Sequence, residues 1–412
     1  MRPSYRAVLA SVLLLGTAVS VSTAASAQSV AERADRMLRS LERAPTPTST
    51  STSTLTTAAT AAAHMTVADE MARLHVTGAS VALVVDGKVA WVRAYGSKEA
   101  GKPAPVDSTT LFLAGSISKP VFASGAMALV DKGTLSLDAN INDALKSWKL
   151  PDSRFTEKEK VTLRRLLSHS AGLTVWGFPG YEVGKPVPTV PQLLDSVPPS
   201  NTGAVRNDTT PGARWLYSGG GITVAQLAAT DVTGESFVAL MQRLVLAPMG
   251  MKRSTYENPI PAARASETAS GHEKPDTAVA GRWHVYPEMA AAGLWTTPSD
   301  LARWGIGMMR SYRGERGGLL SSAMAREMLR PQVRLPTTGP LARPNVGWWG
   351  LGAEVGGSGR DFNFSHGGRD EGFVATMVFY PERNVGLVVM TNATNSAFLN
   401  ELTRAFVAEF VK

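Results

Sequence analysis

The sequence predicts an α+β protein in which an antiparallel sheet, built from both ends of the folded chain, is flanked by helices and carries an inserted, mostly helical subdomain. At one end, residues 79–85 and 88–95 are rich in apolar side chains and flank Asp86-Gly87, a pair typical of a type I′ hairpin turn. At the other end, residues 373–380 and 385–391 flank a short polar turn in the same way. Between the two hairpins, apolar residues follow helical spacing. The predicted helices span residues 120–132, 161–167, 223–232, 236–246 and 299–310.

Composition limits the chemistry of the chain. It has 412 residues, of which 44% are hydrophobic and 18% charged, which is typical of a soluble protein with a large core. Because the cysteine count is 0, disulfides, thiolate metal sites, iron–sulfur clusters and a cysteine nucleophile are excluded. Covalent chemistry therefore has to come from an oxygen or nitrogen nucleophile.

Charge and histidine spacing argue against two classes of partner. The net charge is +8, but lysine and arginine are scattered, and the densest pair in a helical segment is Arg164-Arg165. A nucleic-acid surface needs clustered cations, so we predict no nucleic-acid partner. The six histidines have no spacing typical of metal ligands, so we predict no metal site.

The first 27 residues have the features of a signal peptide. Arg2 and Arg6 precede an apolar stretch over residues 7–21, and Ala25-Ser26-Ala27 has the form of a signal-peptidase site. We therefore predict export to the periplasm or the cell exterior, with no membrane span after cleavage. The alternative is an uncleaved membrane anchor, because the apolar stretch is nearly long enough to cross a bilayer.

The rest of the chain divides into three parts. Residues 28–44 have a thin apolar stripe at helical spacing and predict a short polar helix. Residues 45–63 are rich in threonine, serine, proline and alanine, and are typical of a linker because they have too little apolar surface to form a core. Residues 64–412 form the predicted folded domain.

Ser116 and Lys119 are the first candidate catalytic pair. If a helix begins near Ser116, residues three apart share one face, so the serine hydroxyl and the lysine amine lie side by side. A lysine in a dry cleft loses its charge readily, and its neutral amine can accept the serine proton. An S-x-x-K spacing alone is common by chance and does not identify a site.

Two later segments give that pair its context: Tyr217-Ser218-Gly219, and His366-Gly367-Gly368 followed by Arg369. In this order the three segments resemble the S-x-x-K, Y-x-N and H-x-G elements of the penicillin-recognising serine hydrolases. The resemblance is to the branch that contains class C β-lactamases, D-Ala-D-Ala carboxypeptidases and lactamase-like esterases, and it covers roughly residues 66–410.

The resemblance implies a β-lactamase-like fold and a serine hydrolase without metal or cofactor. It implies Ser116 as the nucleophile, with Lys119 and Tyr217 moving its proton. It also implies an oxyanion hole formed by the backbone amides of Ser116 and Arg369. The implied substrate-binding residues are His366, Gly367, Gly368 and Gly219.

Two departures from the family pattern affect the expected substrate. Gly219 stands where the family often has asparagine, and His366 stands where the β-lactamases have lysine. Both changes remove groups that would hold an amide or a carboxylate, which favours esters or small amides. The substrate is expected to be a small ester, a D-amino peptide or a β-lactam. A D,D-carboxypeptidase or class C-like β-lactamase remains the alternative enzyme. A penicillin-binding or cell-wall-binding protein that acylates without turnover is the alternative of another class.

The sequence leaves the roles of four other aromatic residues open. His169 is either a partner of Ser116 or a structural histidine in a turn, and the family pattern favours the second. Trp283, His284 and Tyr286 either line a pocket or pack a long surface loop between residues 258 and 287. The sequence identifies no protein partner.

Overall fold

The centre of the computed structural model, which describes residues 30–41, 66–338 and 347–412, is an antiparallel sheet. Among these residues the strands are β1 Gly78–Val85, β2 Lys88–Gly96, β3 Phe112–Leu113, β4 Tyr181–Glu182, β5 His272–Lys274, β6 Thr277–Ala278, β7 His284–Val285, β8 Trp295–Thr296, β9 Val333–Arg334, β10 Trp348–Trp349, β11 Glu354–Gly356, β12 Asn363–Asp370, β13 Phe373–Tyr380 and β14 Val385–Thr391. Eight of them form the sheet in the order β2-β1-β14-β13-β12-β11-β10-β9, and the other six form three small ribbons, β3-β8, β4-β7 and β5-β6.

Helices lie between the two hairpins, as predicted, and also before and after them. Those in the described residues are α1 over residues 30–41, α2 Val67–Arg73, α3 Ser118–Asp131, α4 Ile141–Ala144, α5 Leu163–Leu167, α6 Val190–Leu194, α7 Gly219–Thr233, α8 Phe237–Met241, α9 Met289–Ala292, α10 Pro298–Arg313, α11 Ser322–Met328 and α12 Ala397–Phe406. A 3₁₀ turn, Gly115–Ile117, leads into α3, and π-helical turns extend α8 and α12.

The two ends of the folded chain meet in the middle of the sheet. β1 pairs antiparallel with β14, with Val81 opposite Val389, and β2 and β13 flank this pair on either side. Asp86 and Gly87 both have positive φ, 51° and 65°, as the type I′ turn requires. The predicted α+β class, with a sheet built from both ends, is confirmed.

Each face of the sheet is covered by its own apolar layer, because successive side chains of a strand point to opposite faces. On the outer face, Val81 and Leu83 of β1 pack with α1, α2 and α12. On the inner face, Ala82 and Val84 pack with the larger core that contains α3 and α10. Since both faces are covered, every residue of β1 is buried.

The inner layer carries the segment that contains the candidate nucleophile. Eleven of the residues of α3 are buried, and Trp304 of α10 donates a hydrogen bond from its indole nitrogen to Ser124 Oγ of α3 at 3.1 Å. The Trp304 ring also packs edge-on against Phe364 of β12. A buried tryptophan therefore links α10, α3 and the strand that carries the third motif.

Helix α1 packs against the far end of the chain. Val30, Ala34, Met37 and Leu41 are buried in the outer layer together with α12. Glu409 accepts hydrogen bonds from Arg33 and Arg36 at 3.2 and 2.8 Å. Partly exposed ion pairs of this kind contribute little, so apolar burial is what holds α1 in place. Of the predicted helix over residues 28–44, the structure describes residues 30–41, which form α1. The predicted signal peptide and linker, residues 1–27 and 45–63, lie outside the described residues.

No helix among the described residues is both long and apolar enough to cross a membrane.

The region between residues 258 and 287 is more ordered than the predicted surface loop. It contains β5, β6 and part of a ribbon, β7, that pairs with β4. Trp283 is buried edge-on against Trp295, and Tyr286 is completely buried. Of the two interpretations of these side chains, packing is therefore the one that the structure favours.

A substitution at Gly305 would test how closely α10 packs on the sheet. A β-carbon at this position would lie 2.1 Å from the ring of Phe379, a buried residue of β13. We expect Gly305→Ala to lower the free energy of unfolding by about 1–3 kcal/mol, because forcing a methyl group into a packed core displaces its neighbours. Urea unfolding followed by circular dichroism measures the change.

The matched control is Gly203→Ala. Gly203 is exposed, its φ lies outside the left-handed region, and a β-carbon there would have no neighbour within 4 Å. This substitution should leave the free energy of unfolding within about 0.5 kcal/mol of the wild-type value. Equal stability of the two variants would contradict the close packing of α10 on β13.

Candidate active site

Ser116 lies in a 3₁₀ turn that is pressed against β12. Gly115, which precedes it, has a φ of +52°, and a β-carbon there would come within 2.4 Å of the backbone nitrogen of Arg369. Only glycine allows this approach without strain. The turn continues into α3, so that Ser116 remains partly exposed while Lys119, one turn further on, is buried.

The structure brings the Ser116 hydroxyl and the Lys119 amine into direct contact. Lys119 Nζ lies 2.8 Å from Ser116 Oγ and donates a second hydrogen bond to the carbonyl of Ala291, in α9, at 2.7 Å. The i,i+3 spacing places both side chains on the same side of the turn, and the Ala291 carbonyl fixes the amine from the opposite direction. Lys119 is only 2% exposed.

Burial makes Lys119 suitable as a base. It lowers the pKa of the amine to about 7, because an ammonium loses its hydration in the interior, while the neighbouring Asp370 carboxyl opposes the shift. Near neutral pH a large share of molecules therefore carries a neutral amine whose lone pair can accept the Ser116 proton.

Two buried carboxyl groups belong to the surroundings of the site: that of Asp370, beside Lys119, and that of Glu288, which interacts with Asp370. The sequence predicted a role for neither. Burial raises the pKa of Asp370 to about 8, against the opposing effects of Lys119 and the Gly115 N–H. Burial also raises the pKa of Glu288, the residue before α9, to about 8. Within the described residues, neither Glu288 oxygen nor Asp370 Oδ2 has a hydrogen-bond partner. The described residues hold no group of three or more metal-ligating side chains.

Tyr217 lies on the other side of the lysine amine. Lys119 Nζ is 5.1 Å from the centre of the Tyr217 ring. The ring of His169 packs against Tyr217 with a centroid separation of 4.2 Å, and His169 Nδ1 accepts a hydrogen bond from the Ser218 N–H at 3.2 Å. Burial, together with Lys119 and His366, holds the pKa of His169 well below its usual range. A neutral His169 therefore supports the Tyr217 ring, in keeping with a structural role.

Aromatic side chains surround this tyrosine. The rings of Trp176, Trp215 and Trp349 have centroids 5.5, 6.1 and 5.8 Å from that of Tyr217. Trp349 also lies 5.3 Å from the ring of His366, on β12. Because Trp176, Tyr217 and Trp349 are far apart in the sequence, no local motif predicts that their rings form a cluster.

The predicted third motif lies within β12, directly beside the Ser116 turn. Asp370 and Phe373 pair across a two-residue turn, so the N–H of Asp370 points toward β13. The backbone N–H of Arg369, one residue earlier, therefore points away from β13 and toward the Ser116 turn. Gly368 approaches even more closely, since a β-carbon there would lie 1.9 Å from the carbonyl oxygen of Ala114. Gly367 is exposed, whereas His366 is buried. The turn that contains Ser116 and the strand residue Arg369, which together are predicted to form the oxyanion hole, are therefore in close contact.

Gly219, which was expected to line the substrate site, begins α7 and is buried. A β-carbon at Gly219 would meet the ring of Phe178 at 2.9 Å and the carbonyl oxygen of Trp176 at 3.1 Å. The segment that contains Trp176 and Phe178 therefore lies over Gly219. A larger residue at this position would collide with that segment.

Comparisons with known proteins show the family and the fold of the chain. A family model described as Beta-lactamase matches residues 64–412. The D-alanyl-D-alanine-carboxypeptidase/endopeptidase AmpH of Escherichia coli (strain K12) is 24% identical over 77% of this chain and 80% of its own length. Esterase EstB of Burkholderia gladioli is 28% identical over 48% of this chain and 52% of its own. The solved structure of an octameric penicillin-binding protein homologue from Pyrococcus abyssi has the same fold, with a TM-score of 0.69, 23% identity and coverage of 84% of this chain and 76% of that chain.

The two glycines of β12 give a test of how the Ser116 turn is positioned. We expect Gly368→Ala to reduce the rate at which Ser116 reacts with a fluorophosphonate by about 100-fold or more, because the new methyl group would push β12 away from Ala114. In the Gly367→Ala control the nearest contact of the added carbon is 3.9 Å away, so β12 should keep its place and the variant should unfold at the wild-type temperature. Equal labelling rates for Gly368→Ala and the wild type would show that this contact does not position Ser116.

The pKa of Lys119 predicts how reactivity depends on pH. Because only the neutral amine accepts a proton, the rate of Ser116 labelling should rise with pH through a midpoint near 7. In the molecules in which Asp370 is ionised, its charge favours the ammonium form of Lys119, so Asp370→Asn should move the midpoint to lower pH. A series of labelling rates between pH 5 and pH 9 measures both values.

The control for this experiment is Glu401→Gln. Burial raises the pKa of the Glu401 carboxyl to about 7, but this group lies on α12, across the sheet from Ser116. Its substitution should leave the midpoint of the labelling profile unchanged. An unchanged midpoint in Asp370→Asn, or a shift to higher pH, would contradict the proposed influence of Asp370 on Lys119.

Proposed function

We propose, since the chain belongs to the beta-lactamase family of serine hydrolases, that it cleaves a small ester or amide through an acyl intermediate on Ser116. The observation that carries the proposal is the 2.8 Å contact between Ser116 Oγ and Lys119 Nζ, an amine that is buried and therefore easily neutral. A serine next to a neutral amine is an activated nucleophile.

In the first step, the neutral Lys119 amine takes the proton of the Ser116 hydroxyl as Oγ attacks the substrate carbonyl carbon. The carbonyl π electrons move to its oxygen, giving a tetrahedral oxyanion. The backbone N–H groups of Ser116 and Arg369 would donate hydrogen bonds to this oxygen. Donors that are fixed before the negative charge develops stabilise it without a cost of reorganisation.

In the second step, the tetrahedral intermediate collapses and the bond to the leaving group breaks. The proton held by Lys119 passes to the leaving oxygen or nitrogen, and Tyr217, whose ring centre lies 5.1 Å from the amine, is proposed to take part in this transfer. A water molecule then attacks the acyl carbon while Lys119 and Tyr217 accept its proton. The bond between the acyl carbon and Ser116 Oγ breaks, that oxygen takes the proton back, and the acid product leaves, which restores the enzyme.

Two features favour an ester or small amide over a peptide that ends in a free carboxylate. His366 stands where the β-lactamases have a fixed lysine charge, and this histidine is buried beside Trp349. The chain also lacks the Asn side chain that the family often has at position 219. The partial match to a protein named as an esterase supports the same direction. The longer match to a protein named as a D-Ala-D-Ala carboxypeptidase keeps that activity as the alternative.

Export to the periplasm or the cell exterior is part of this proposal. It is supported by residues 1–27, where Arg2 and Arg6, an apolar stretch and Ala25-Ser26-Ala27 follow one another. A cysteine-free domain with a large core suits such a compartment because it needs no disulfide to remain folded.

Substitution of the nucleophile tests the proposed function. We expect Ser116→Ala to abolish covalent labelling by a fluorophosphonate and to lower the kcat for p-nitrophenyl acetate by about 1,000-fold or more, because no other group can form the acyl intermediate. Intact mass spectrometry and steady-state kinetics provide the two measurements. The control is Ser322→Ala, at a partly exposed serine of α11, which should label and turn over as the wild type does.

A panel of substrates separates the proposal from its alternatives. Sustained turnover of p-nitrophenyl acetate, with none of nitrocefin or of a D-Ala-D-Ala peptide, is the expected result. Faster turnover of the peptide would favour a carboxypeptidase. A stoichiometric burst without a steady state on every substrate would identify a protein that acylates without turnover. Retention of labelling in Ser116→Ala would rule out Ser116 as the nucleophile.

A further inference from the structure

Trp176 is the most exposed large apolar side chain beside the candidate active site. Its relative exposure is 58%, whereas the neighbouring Trp349 is 2% exposed. The Trp176 ring lies 5.5 Å from that of Tyr217, which in turn lies 5.1 Å from Lys119 Nζ. The exposed indole of Trp176 therefore packs next to Tyr217, which in turn lies next to Lys119.

The backbone around Trp176 is fastened to the start of α7. Ser218 Oγ donates a hydrogen bond to the carbonyl of Thr174 at 2.7 Å. The N–H groups of Gly220 and Gly219 donate to the carbonyls of Val175 and Trp176, both at 3.0 Å. The first amides of a helix have no acceptors within the helix, and here they hold the segment over residues 174–176. Trp176 is thus exposed on a fixed support.

This arrangement depends on two unusual features of the chain. Val175 has a φ of +64°, which is a genuine outlier for a β-branched residue. Gly220 leaves room for the segment, because a β-carbon there would lie 3.0 Å from the carbonyl oxygen of Thr174 and 3.2 Å from the Val175 β-carbon. Gly219 leaves room for the segment in the same way, because a β-carbon there would lie 2.9 Å from the Phe178 ring and 3.1 Å from the Trp176 carbonyl oxygen. Backbone strain of this kind persists where the surrounding structure enforces it, and it is concentrated at functional sites.

We propose that Trp176 is a substrate-binding residue that stacks on a flat, apolar group next to the scissile bond. The preferred substrates are then esters or amides that carry an aromatic group on the acyl or the alcohol side. This inference rests on the proposed function and names the substrate class of the same site. An exposed indole offers a large, rigid surface, and offset stacking of aromatic rings stabilises a complex beyond the burial of their area.

The test compares substrates that differ by one aromatic ring. On the acyl side the pair is p-nitrophenyl phenylacetate and p-nitrophenyl acetate, and on the alcohol side it is benzyl acetate and methyl acetate. In the wild type we expect kcat/KM for the aromatic member to exceed that of its partner by about 10-fold or more in at least one pair. Trp176→Ala should reduce this ratio about 10-fold, mainly through KM, and Trp176→Phe should retain most of it.

Trp348 provides the matched control. It is also exposed, at 42%, and it precedes Trp349 on β10, so its side chain points to the face of the sheet opposite to Trp349. Trp348→Ala should leave both ratios at their wild-type values. Unfolding temperatures of all the variants show whether a change comes from lost stability.

Two results would overturn the proposal: a wild type that prefers the smaller member of both pairs, or a Trp176→Ala variant that keeps the wild-type ratios. Either result would leave the proposed function intact as long as hydrolysis still requires Ser116. Conversely, hydrolysis that survives in Ser116→Ala would overturn the proposed function whatever the ratios are.

Discussion

The burial of one amine, that of Lys119, is the constraint on which the site depends. A charged ammonium is costly inside a protein, and the cost falls when the group loses its proton. The structure places this amine at the base of the Ser116 turn, where the Ala291 carbonyl accepts one hydrogen bond and the serine hydroxyl lies at 2.8 Å. The same burial that destabilises the ammonium therefore produces a base with a pKa of about 7. Asp370 acts in the opposite direction and limits the shift.

The fold supplies this environment by joining distant parts of the chain. The strands of both ends pair in one sheet, and α3 lies on its inner face, so the nucleophile is attached to a fully packed element. β12 then crosses the Ser116 turn so closely that Gly115 and Gly368 have no room for side chains. The helical insertion contributes Tyr217 and Ala291 from the other side. The site forms where these packed parts meet, which suits catalysis by preorganised groups.

Much of this was predictable from local sequence, but not the features set by tertiary packing. The two hairpins follow from their turn residues, and the Ser116–Lys119 contact follows from i,i+3 spacing. The start of α7 was predicted late, at Thr223 instead of Gly219, because glycine disfavours helices, and the reason for those glycines lies in the segment that packs on them. The burial of Asp370 and Glu288 has no periodic signal, since both depend on residues far away in the chain. The exposure of Trp176 is equally invisible, because most tryptophans are buried.

Direct titration of Lys119 would test whether this lysine acts as a neutral base near pH 7. The full chain, labelled with [ε-13C]lysine, would be titrated by NMR, and the Lys119 resonance would be assigned by its absence in Lys119→Met. We predict a midpoint near pH 7, well below those of the exposed lysines, and a lower midpoint in Asp370→Asn. A Lys119 midpoint close to 10, the usual value for a lysine, would contradict the account, because the amine would then be protonated at neutral pH and could not accept the Ser116 proton.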